Sequence, residues 1–442
     1  MKNIKENTFN YSHLIKTSTD LPIDFELKDE FKKYYEIMEN TKENMFITGQ
    51  AGSGKSTLLE YFRINSKKNY IILASTGISA IKAKGKTIHS FFLFPPRILV
   101  NEDIKRIYNR KILKIIKLAD TILIDECSMI RSDILDGIDK SLKLNRGNKL
   151  VFGGVQLILI GDLFQLPPVV TDDELEIMEK LYPNGQYFFN ANCYNKSKIK
   201  TYELTKVYRQ KDQNFLNILN KIRIGKITSS DIEIINKQLI NNDFSSPKET
   251  LILSPTNRKV GSINNFNLNK IKSKTFTYTA TIDGNFKGEP VDNELKLKVG
   301  AQIMLVKNDE GSSRNWANGT IGTISKLSEK NISVKIKNNI YNIPKTTWQR
   351  YEYKTFGEKI EHEVTGTFKQ YPIKLAWAVT IHKSQGQTFE NILIDLDTGA
   401  FAHGQTYVAL SRSICLEGIF LKRKIIASDL ILDKKINNFL LQ

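Results

Sequence analysis

The sequence has few cysteines and no long apolar run. Its three cysteines, Cys127, Cys193 and Cys415, are too far apart to form a metal-binding pair or a disulfide framework. No apolar stretch approaches the roughly 20 residues that span a bilayer. The N-terminal stretch MKNIKENTFNYSHLIKTSTD has no apolar signal core. These absences exclude a disulfide-rich secreted protein and predict an intracellular, cytoplasmic protein with no membrane partner.

Acidic residues are scarce relative to basic ones. The chain has 47 Asp and Glu against 65 Lys and Arg, which gives a net charge of +18. Such an excess attracts polyanions and indicates a nucleic acid or an anionic membrane surface as partner. A solvated lysine-rich face with no such partner is the alternative from charge alone. The length of 442 residues and the 40% hydrophobic content predict about two or three domains.

Short apolar runs separated by polar turns predict an α/β fold. The runs MFIT, YIILAS, TILID and LILIG are typical of buried parallel strands, and helical patterns follow most of them. The later runs TLILS and NILIDL predict a second α/β unit. The basic stretch 94–119 interrupts the first unit. Residues 323–370 alternate in short β-like runs and predict a small β-barrel inserted in the second.

A phosphate-binding loop lies between the first strand and the next helix. GQAGSGKST has the Walker A spacing from Gly49 to Gly54, Lys55 and Ser56. Its backbone N–H groups and the helix N-terminus would hold phosphate, Lys55 would neutralise the β and γ oxygens, and the Ser56 hydroxyl would bind Mg²⁺. The expected nucleotide ligands here are Gly49, Gly52, Ser53, Gly54, Lys55, Ser56 and Thr57.

Polar side chains end two further strands. In TILIDECSM, Asp125 suits Mg²⁺ and Glu126 suits the attacking water, which favours a hydrolase over a transferase. Without the phosphate loop, this pair would be interpreted as solvated acids. In LILIGDLFQLPPV, Gln165 is placed to sense the γ-phosphate, although the segment alone is an ordinary strand and turn.

Several phrases together resemble the Pif family (petite integration frequency) of superfamily-one DNA helicases, in the branch that also holds RecD-like enzymes. They are TGISAIKAKGKTIHSFF, IDECSM, FGGVQLILIGDLFQLPP, VYRQKD, VGAQIMLVKN, NGTIG, LAWAVTIHKSQGQTF and GQTYVALSR. The resemblance implies two RecA-like domains. The first comprises residues 1–205, and the second comprises residues 206–322 together with 371–442. The 94–119 stretch would be a wedge on the first domain, and 323–370 an SH3-like insertion in the second.

The resemblance also implies ATP-driven 5′-to-3′ translocation on single-stranded DNA with duplex unwinding, in replication, repair, recombination or telomere-type maintenance. Its cofactors would be ATP and Mg²⁺, with Ser56 and Asp125 on the metal. Arg209 and Arg412 would be arginine fingers from the second domain, and Gly386 would lie near the nucleotide. The catalytic set is then Lys55, Ser56, Asp125, Glu126, Gln165, Arg209 and Arg412.

DNA contacts follow from the same resemblance. The polar loop TIHKSQGQT would bind DNA phosphates, and TIHSFF and LSPTNRK would add contacts, including a base stacked on Phe91. The expected set is Thr76, His89, Ser90, Phe91, Thr256, Asn257, Thr380, His382, Lys383 and Ser384. As alternatives, Phe91 belongs to the core and His89 is structural.

Two features depart from the family pattern. Phe31 stands where many relatives have a glutamine that reads adenine, and we expect the protein to lack the long N-terminal extension of eukaryotic members. We expect a minimal bacterial or phage enzyme, nucleoid-associated, acting on single strands and junctions as a monomer, with a dimer on DNA as the alternative. Other interpretations are a RecD-like or protein-stripping translocase and a nucleotide-gated DNA-binding scaffold that does not hydrolyse ATP.

Overall fold

The computed structural model describes residues 21, 25–27, 29–208, 212–241, 247, 249–286, 288–309, 311 and 315–440. The first unit alternates strands with helices. Its strands are β1 (Met45–Gly49), β2 (Tyr70–Ala74), β3 (Lys86–Thr87), β4 (Thr121–Asp125), β5 (Gln156–Ile160) and β6 (Lys200–Leu204). Its helices are α1 (Asp29–Asn40), α2 (Lys55–Asn65), α3 (Gly77–Lys82), α4 (Ile88–Phe92), α5 (Arg110–Leu118), α6 (Ser132–Arg146), α7 (Asp172–Leu181) and α8 (Tyr194–Ser197).

These strands form one parallel sheet in the order β3-β2-β4-β5-β1-β6. The strands β1, β4 and β5 are buried along their whole length. A parallel sheet covered on both faces needs such continuous apolar strands, which explains why the runs were recognisable in the sequence. The carboxyl ends of β1 and β4 carry the predicted phosphate loop and acid pair.

The remaining elements build a second α/β unit around a β-rich segment. It begins with α9 (Gln213–Arg223), α10 (Ser229–Asn236), β7 (Leu251–Ser254) and α11 (Asn257–Lys270). The β-rich segment contains β8 (Phe276–Thr279), β9 (Thr281–Gly284), β10 (Glu294–Leu297), β11 (Gln302–Leu305), β12 (Ile321–Leu327), β13 (Ile332–Ile336), β14 (Asn339–Ile343), β15 (Thr346–Phe356), β16 (Lys359–Gln370) and β17 (Ile373–Leu375). The chain ends with β18 (Ala378–Thr380), β19 (Ile392–Ile394), α12 (Gln405–Leu410), β20 (Ile419–Leu421) and α13 (Lys434–Leu440).

The second unit has its own parallel sheet, in the order β18-β7-β19-β20. The β-rich segment is antiparallel, with one sheet ordered β14-β13-β12-β11-β17 and another ordered β15-β16-β9. Its strands run from Phe276 to Leu375 and so extend on both sides of the predicted 323–370 insertion. Two parallel α/β units in one chain confirm the predicted fold class.

The long β15–β16 hairpin packs against the first unit. The hydroxyl of Tyr353 accepts a hydrogen bond from the Ile72 N–H at 2.7 Å and donates to the Ile72 carbonyl at 2.8 Å. The side chain of Asn69 donates to the Glu358 carbonyl and accepts from the Ile360 N–H. Because β3 pairs with β2 only at Leu73 and Ala74, Tyr353 satisfies the Ile72 backbone groups on the edge of β2 that β3 leaves uncovered.

Cys127, Cys193 and Cys415 are free thiols, and the first two are buried. None of the helices in the described part of the chain has both the length and the apolar character needed to cross a bilayer.

Candidate nucleotide and DNA sites

The phosphate loop joins β1 to α2. Gly52 and Gly54 have φ of +85° and +89°, a conformation that glycine adopts without strain. A Cβ at Gly54 would also lie 2.6 Å from the Phe31 ring. The Lys55 ammonium donates to the carbonyl oxygens of Gly49 and Gln50 at 2.6 and 2.9 Å, so it lies across the loop. This geometry suits a phosphate group held by backbone N–H groups and one lysine.

Two carboxylates follow β4. Asp125 accepts a hydrogen bond from the Glu126 N–H at 3.0 Å, and Glu126 has a left-handed backbone with φ of +51°. Burial, reinforced by Glu126, raises the pKa of Asp125 to about 6, although Lys82 and Lys55 oppose the rise. A cation bound beside Asp125 would relieve this repulsion.

A cavity of about 1090 Å³ brings the phosphate loop and the acids together. It is lined by residues from both units. From the first unit come Ala51, Gly52, Gly54, Lys55, Ser56, Thr57, Lys82, Asp125, Glu126 and Gln165, and from the second come Gly386, Thr388 and Arg412. The predicted nucleotide ligands Gly49 and Ser53 support the loop from behind, since Gly49 ends β1 and Ser53 is fully buried.

The second unit reaches the acids through the loop after β18. The Gln385 amide donates to Gln165 Oε1 at 2.9 Å and to Glu126 Oε2 at 3.3 Å. Arg412 is fully buried, and its guanidinium donates to the backbone carbonyls of Ser384, Gln387 and Val408. Arg412 therefore both lines the cavity and fixes the loop that carries Gln385.

Tyr407 and Lys82 also belong to this site, although sequence reasoning did not single them out. The Tyr407 hydroxyl accepts from the Ala51 N–H of the phosphate loop at 3.2 Å and donates to Asp162 at 3.5 Å. Burial raises the pKa of Tyr407, which keeps the hydroxyl protonated. Tyr407 lies in an apolar helix and Lys82 in a basic stretch, and neither position belongs to a local nucleotide-binding pattern.

Exposed polar groups of the second unit lie at one edge of its sheet. Thr380 at the end of β18 pairs with Ser254 at the end of β7, so the loop after β18 lies beside the start of α11. Thr256 and Asn257 are exposed there, as are His382 and Lys383. Burial, followed by the charge of Lys383, lowers the pKa of Lys374 nearby. The exposed Lys383, with the half-buried Lys374 beside it, favours an anionic ligand at this edge.

Three predicted DNA contacts are directed inward instead. Thr380 is buried and its hydroxyl accepts from the Lys383 N–H, while the buried Ser384 hydroxyl donates to the Ile381 carbonyl at 2.7 Å. Both hydroxyls therefore stabilise the turn, and their contact with DNA stays a prediction. Phe91 is 2% exposed and packs against Phe92 and Tyr353 with ring centroids 4.9 and 6.0 Å away. This burial prevents Phe91 from stacking on a base in this conformation.

The other predicted residues of the first unit lie together. Ala74 at the end of β2 pairs with Thr87 at the end of β3, which places Thr76, His89 and Ser90 at the same edge. The Thr76 hydroxyl caps α3 by accepting from the Ser79 N–H. Burial, followed by Arg131, lowers the pKa of His89, so its ring is neutral near pH 7. Arg209 lies outside the described residues.

The fold and the cavity define a P-loop NTPase with two RecA-like units. A family model described as PIF1-like helicase matches residues 26–233. The ATP-dependent DNA helicase Pif1 of Bdellovibrio bacteriovorus is 31% identical over 394 residues, which cover 86% of this chain and 84% of that protein. The chain belongs to the PIF1-like helicase family.

Solved structures of a Bacteroides Pif1 are similar over nearly the whole chain. The complex with ADP-AlF4 is 36% identical, covers 95% of this chain and 97% of its own, and has a TM-score of 0.87. The same helicase bound to single-stranded DNA is 36% identical, covers 94% of this chain and 96% of its own, and has a TM-score of 0.68. These matches support the two-unit architecture.

Proposed function

We propose that this chain is an ATP-dependent DNA helicase that moves 5′ to 3′ along single-stranded DNA and unwinds the duplex ahead of it. The activity accords with the relatives that are named ATP-dependent DNA helicases. The 5′-to-3′ polarity rests on resemblance to the family.

One loop supports the coupling of hydrolysis to movement. Gln385 contacts Glu126 and Gln165 at the cavity, and His382 and Lys383, a few residues earlier, are exposed at the sheet edge. A change in the cavity that moves Gln385 therefore moves the exposed side of the same short turn. Because Arg412 holds this turn through backbone carbonyls, the turn transmits the movement as a rigid piece.

The lining residues fit a nucleotide-bound Mg²⁺. Mg²⁺ in such sites takes one or two protein oxygens and leaves the other positions to phosphate and water. Ser56 and Asp125 both line the cavity, and a cation beside Asp125 would counter the burial and the Glu126 charge that raise its pKa. When bound, Mg²⁺ would neutralise phosphate charge. Glu126 would orient the attacking water, and Lys55, with Arg412, would face the phosphates.

Unwinding of tailed duplexes tests the proposal. With ATP and Mg²⁺, we expect strand separation of a duplex with a 5′ single-stranded tail and none of a duplex with a 3′ tail. A Lys55→Ala variant should be inactive on both. Preference for the 3′ tail would contradict the polarity. ATP hydrolysis that single-stranded DNA fails to stimulate would contradict the motor itself. Displacement of streptavidin from a biotinylated single strand without unwinding would favour the protein-stripping translocase.

A further inference from the structure

A buried ion pair joins the two units beside the cavity. Arg223, the last residue of α9, approaches Asp162 of the loop after β5 to 3.4 Å, and Glu203 of β6 to 3.2 Å. Asp162 is fully buried and Arg223 is 6% exposed. The guanidinium also lies over the Phe164 ring, 4.5 Å from its centre. Because a buried charge without its partner is costly, this pair fixes α9 against the loop after β5.

The Asp162 carboxylate accepts hydrogen bonds from both units. Its Oδ1 accepts from the Phe164 N–H at 3.2 Å and from the Arg223 guanidinium at 3.4 Å. Its Oδ2 accepts from the Gln165 amide at 3.3 Å and from the Tyr407 hydroxyl at 3.5 Å. Since the two oxygens belong to one rigid group, the contact of Oδ1 with Arg223 determines where Oδ2 meets Gln165.

The Gln165 amide is held in one orientation. Its Nε2 donates to Asp162, which leaves Oε1 to accept from Gln385 at 2.9 Å. An amide turned over would place its oxygen against the Asp162 carboxylate and its NH₂ group against the NH₂ group of Gln385, so both contacts would become repulsive. Asp162 therefore selects the orientation in which Gln165 lines the cavity and meets the second unit.

The backbone of the same loop packs against the start of α12. His403 Nε2 lies 3.0 Å from the Leu163 carbonyl oxygen, and a Cβ at Gly404 would lie 2.3 Å from the Phe164 carbonyl oxygen. Neither contact involves Arg223. Replacement of Arg223 should therefore release the side chains of Asp162 and Gln165 while the loop backbone stays packed.

We propose that Arg223 is a positioning residue for ATP hydrolysis, which acts through Asp162 to hold the Gln165 amide at the acid end of the cavity. Arg223 itself does not line the cavity, so its effect must pass through its neighbours. The inference rests on the proposed nucleotide-driven function, in which Gln165 senses the γ-phosphate. Because Arg223 belongs to the second unit and Gln165 to the first, packing of the two units sets the orientation of this amide.

ATP turnover by the full-length protein with Mg²⁺, with and without single-stranded DNA, tests the proposal in two backgrounds. Arg223→Gln and Asp162→Asn break the pair from either side, and each alone should lower kcat about tenfold or more, the scale expected when a group at a reacting centre is misplaced. In a Gln165→Ala background the same changes should alter kcat less than about twofold, because residues that act as one unit are not additive. Arg223→Lys keeps the charge and should recover most of the turnover.

Arg63→Gln is the matched control. Arg63 is 8% exposed, pairs with Glu60 at 2.7 Å and does not line the cavity. Loss of either buried arginine should lower Tm, but only Arg223→Gln should lower kcat. Arg223→Gln should also keep the affinity of wild type for ADP, because the phosphate loop is untouched.

Two results would overturn the inference. One is the same fold loss of kcat in both backgrounds, which would mean that the ion pair stabilises the fold without acting on Gln165. The other is an unchanged kcat when the pair is broken; if Arg223→Gln does not fold, Asp162→Asn decides. A protein that shows the expected pattern of turnover but does not unwind tailed duplexes would refute the proposed function and leave the role of Arg223 intact. Normal unwinding with additive losses of turnover would refute only the role of Arg223.

Discussion

Gln385 of the second unit donates a hydrogen bond to Gln165 of the first at 2.9 Å, across the cavity that would hold the nucleotide. Its amide also reaches Glu126 at 3.3 Å. The two units therefore meet at the group that would orient water, and opening of the cavity must break this contact.

Replacing Gln385 with alanine should weaken the stimulation of ATP hydrolysis by single-stranded DNA. Loss of a preorganised donor at a reacting centre lowers turnover, so we expect the rate stimulated by single-stranded DNA to fall about tenfold or more. Binding of ADP should persist, because the phosphate loop is intact. Gln213→Ala is the control, since its amide lies exposed at the start of α9. A Gln385→Ala enzyme with normal DNA stimulation would show that the contact has no role in coupling.

Arg412 should prove both catalytic and structural. Arg412→Ala leaves buried carbonyls without their donors, at a cost of about 1–3 kcal/mol for each unsatisfied group. We expect a clear drop in Tm together with loss of DNA-stimulated hydrolysis, while the affinity for single-stranded DNA is kept. Arg412→Lys keeps the charge and should recover part of the Tm but little of the activity. Near-normal hydrolysis in either variant would remove Arg412 from the catalytic set.

Tyr407 offers a milder test of the same interface. Tyr407→Phe keeps the buried ring and removes the acceptor of the Ala51 N–H. The loss of one such hydrogen bond costs about 1 kcal/mol, so the KM for ATP should rise about fivefold. Tyr341→Phe, in β14, supplies the control because Tyr341 does not line the cavity. An unchanged KM would mean that the hydroxyl does not support the phosphate loop.

The sequence predicted those parts of this site that are formed by residues close together in the chain. The phosphate loop needs glycines, a lysine and a serine at fixed spacing, so Gly54, Lys55 and Ser56 were recognisable from the pattern. Tyr407 accepts a hydrogen bond from Ala51, which lies in the other unit. No local sequence spacing predicts a contact between residues so far apart in the chain. Thr380, Ser384 and the exposed His382 are all polar residues of one short loop, and the sequence does not distinguish the buried ones from the exposed one. Only the turn geometry determines which side chains point inward.

Lys383 should contribute charge to DNA binding and His382 should not. Partial desolvation lowers the pKa of His382, so the ring is neutral at pH 7. Lys383→Gln should therefore reduce the slope of log affinity against log salt by about 0.7, the value for one phosphate contact on a single strand. His382→Ala should weaken binding at every salt concentration without changing the slope. Lys180→Gln, on α7, is a surface control; an unaltered slope in Lys383→Gln would exclude the phosphate contact.

The packing of the β15–β16 hairpin on the first unit should make stability depend on pH. His362 lies among the rings of Tyr70, Tyr351 and Tyr353, with centroid distances of 5.6, 6.3 and 4.9 Å. Burial, followed by Arg63, lowers its pKa to about 4. The unfolded chain takes up a proton near pH 6.5 while the folded one does not. The stability contributed by the neutral ring is therefore fully present above pH 6.5 and is lost as the pH falls towards 4.

His362→Phe removes this titration and keeps an aromatic ring in place. Between pH 7.5 and pH 4, wild type should lose about 2–3 kcal/mol more of its free energy of unfolding than the variant. Urea denaturation of both proteins at several pH values measures the difference. Because all other titrating groups are shared, they cancel in the comparison. Parallel curves across this range would mean that His362 ionises as freely in the folded protein as in the unfolded chain.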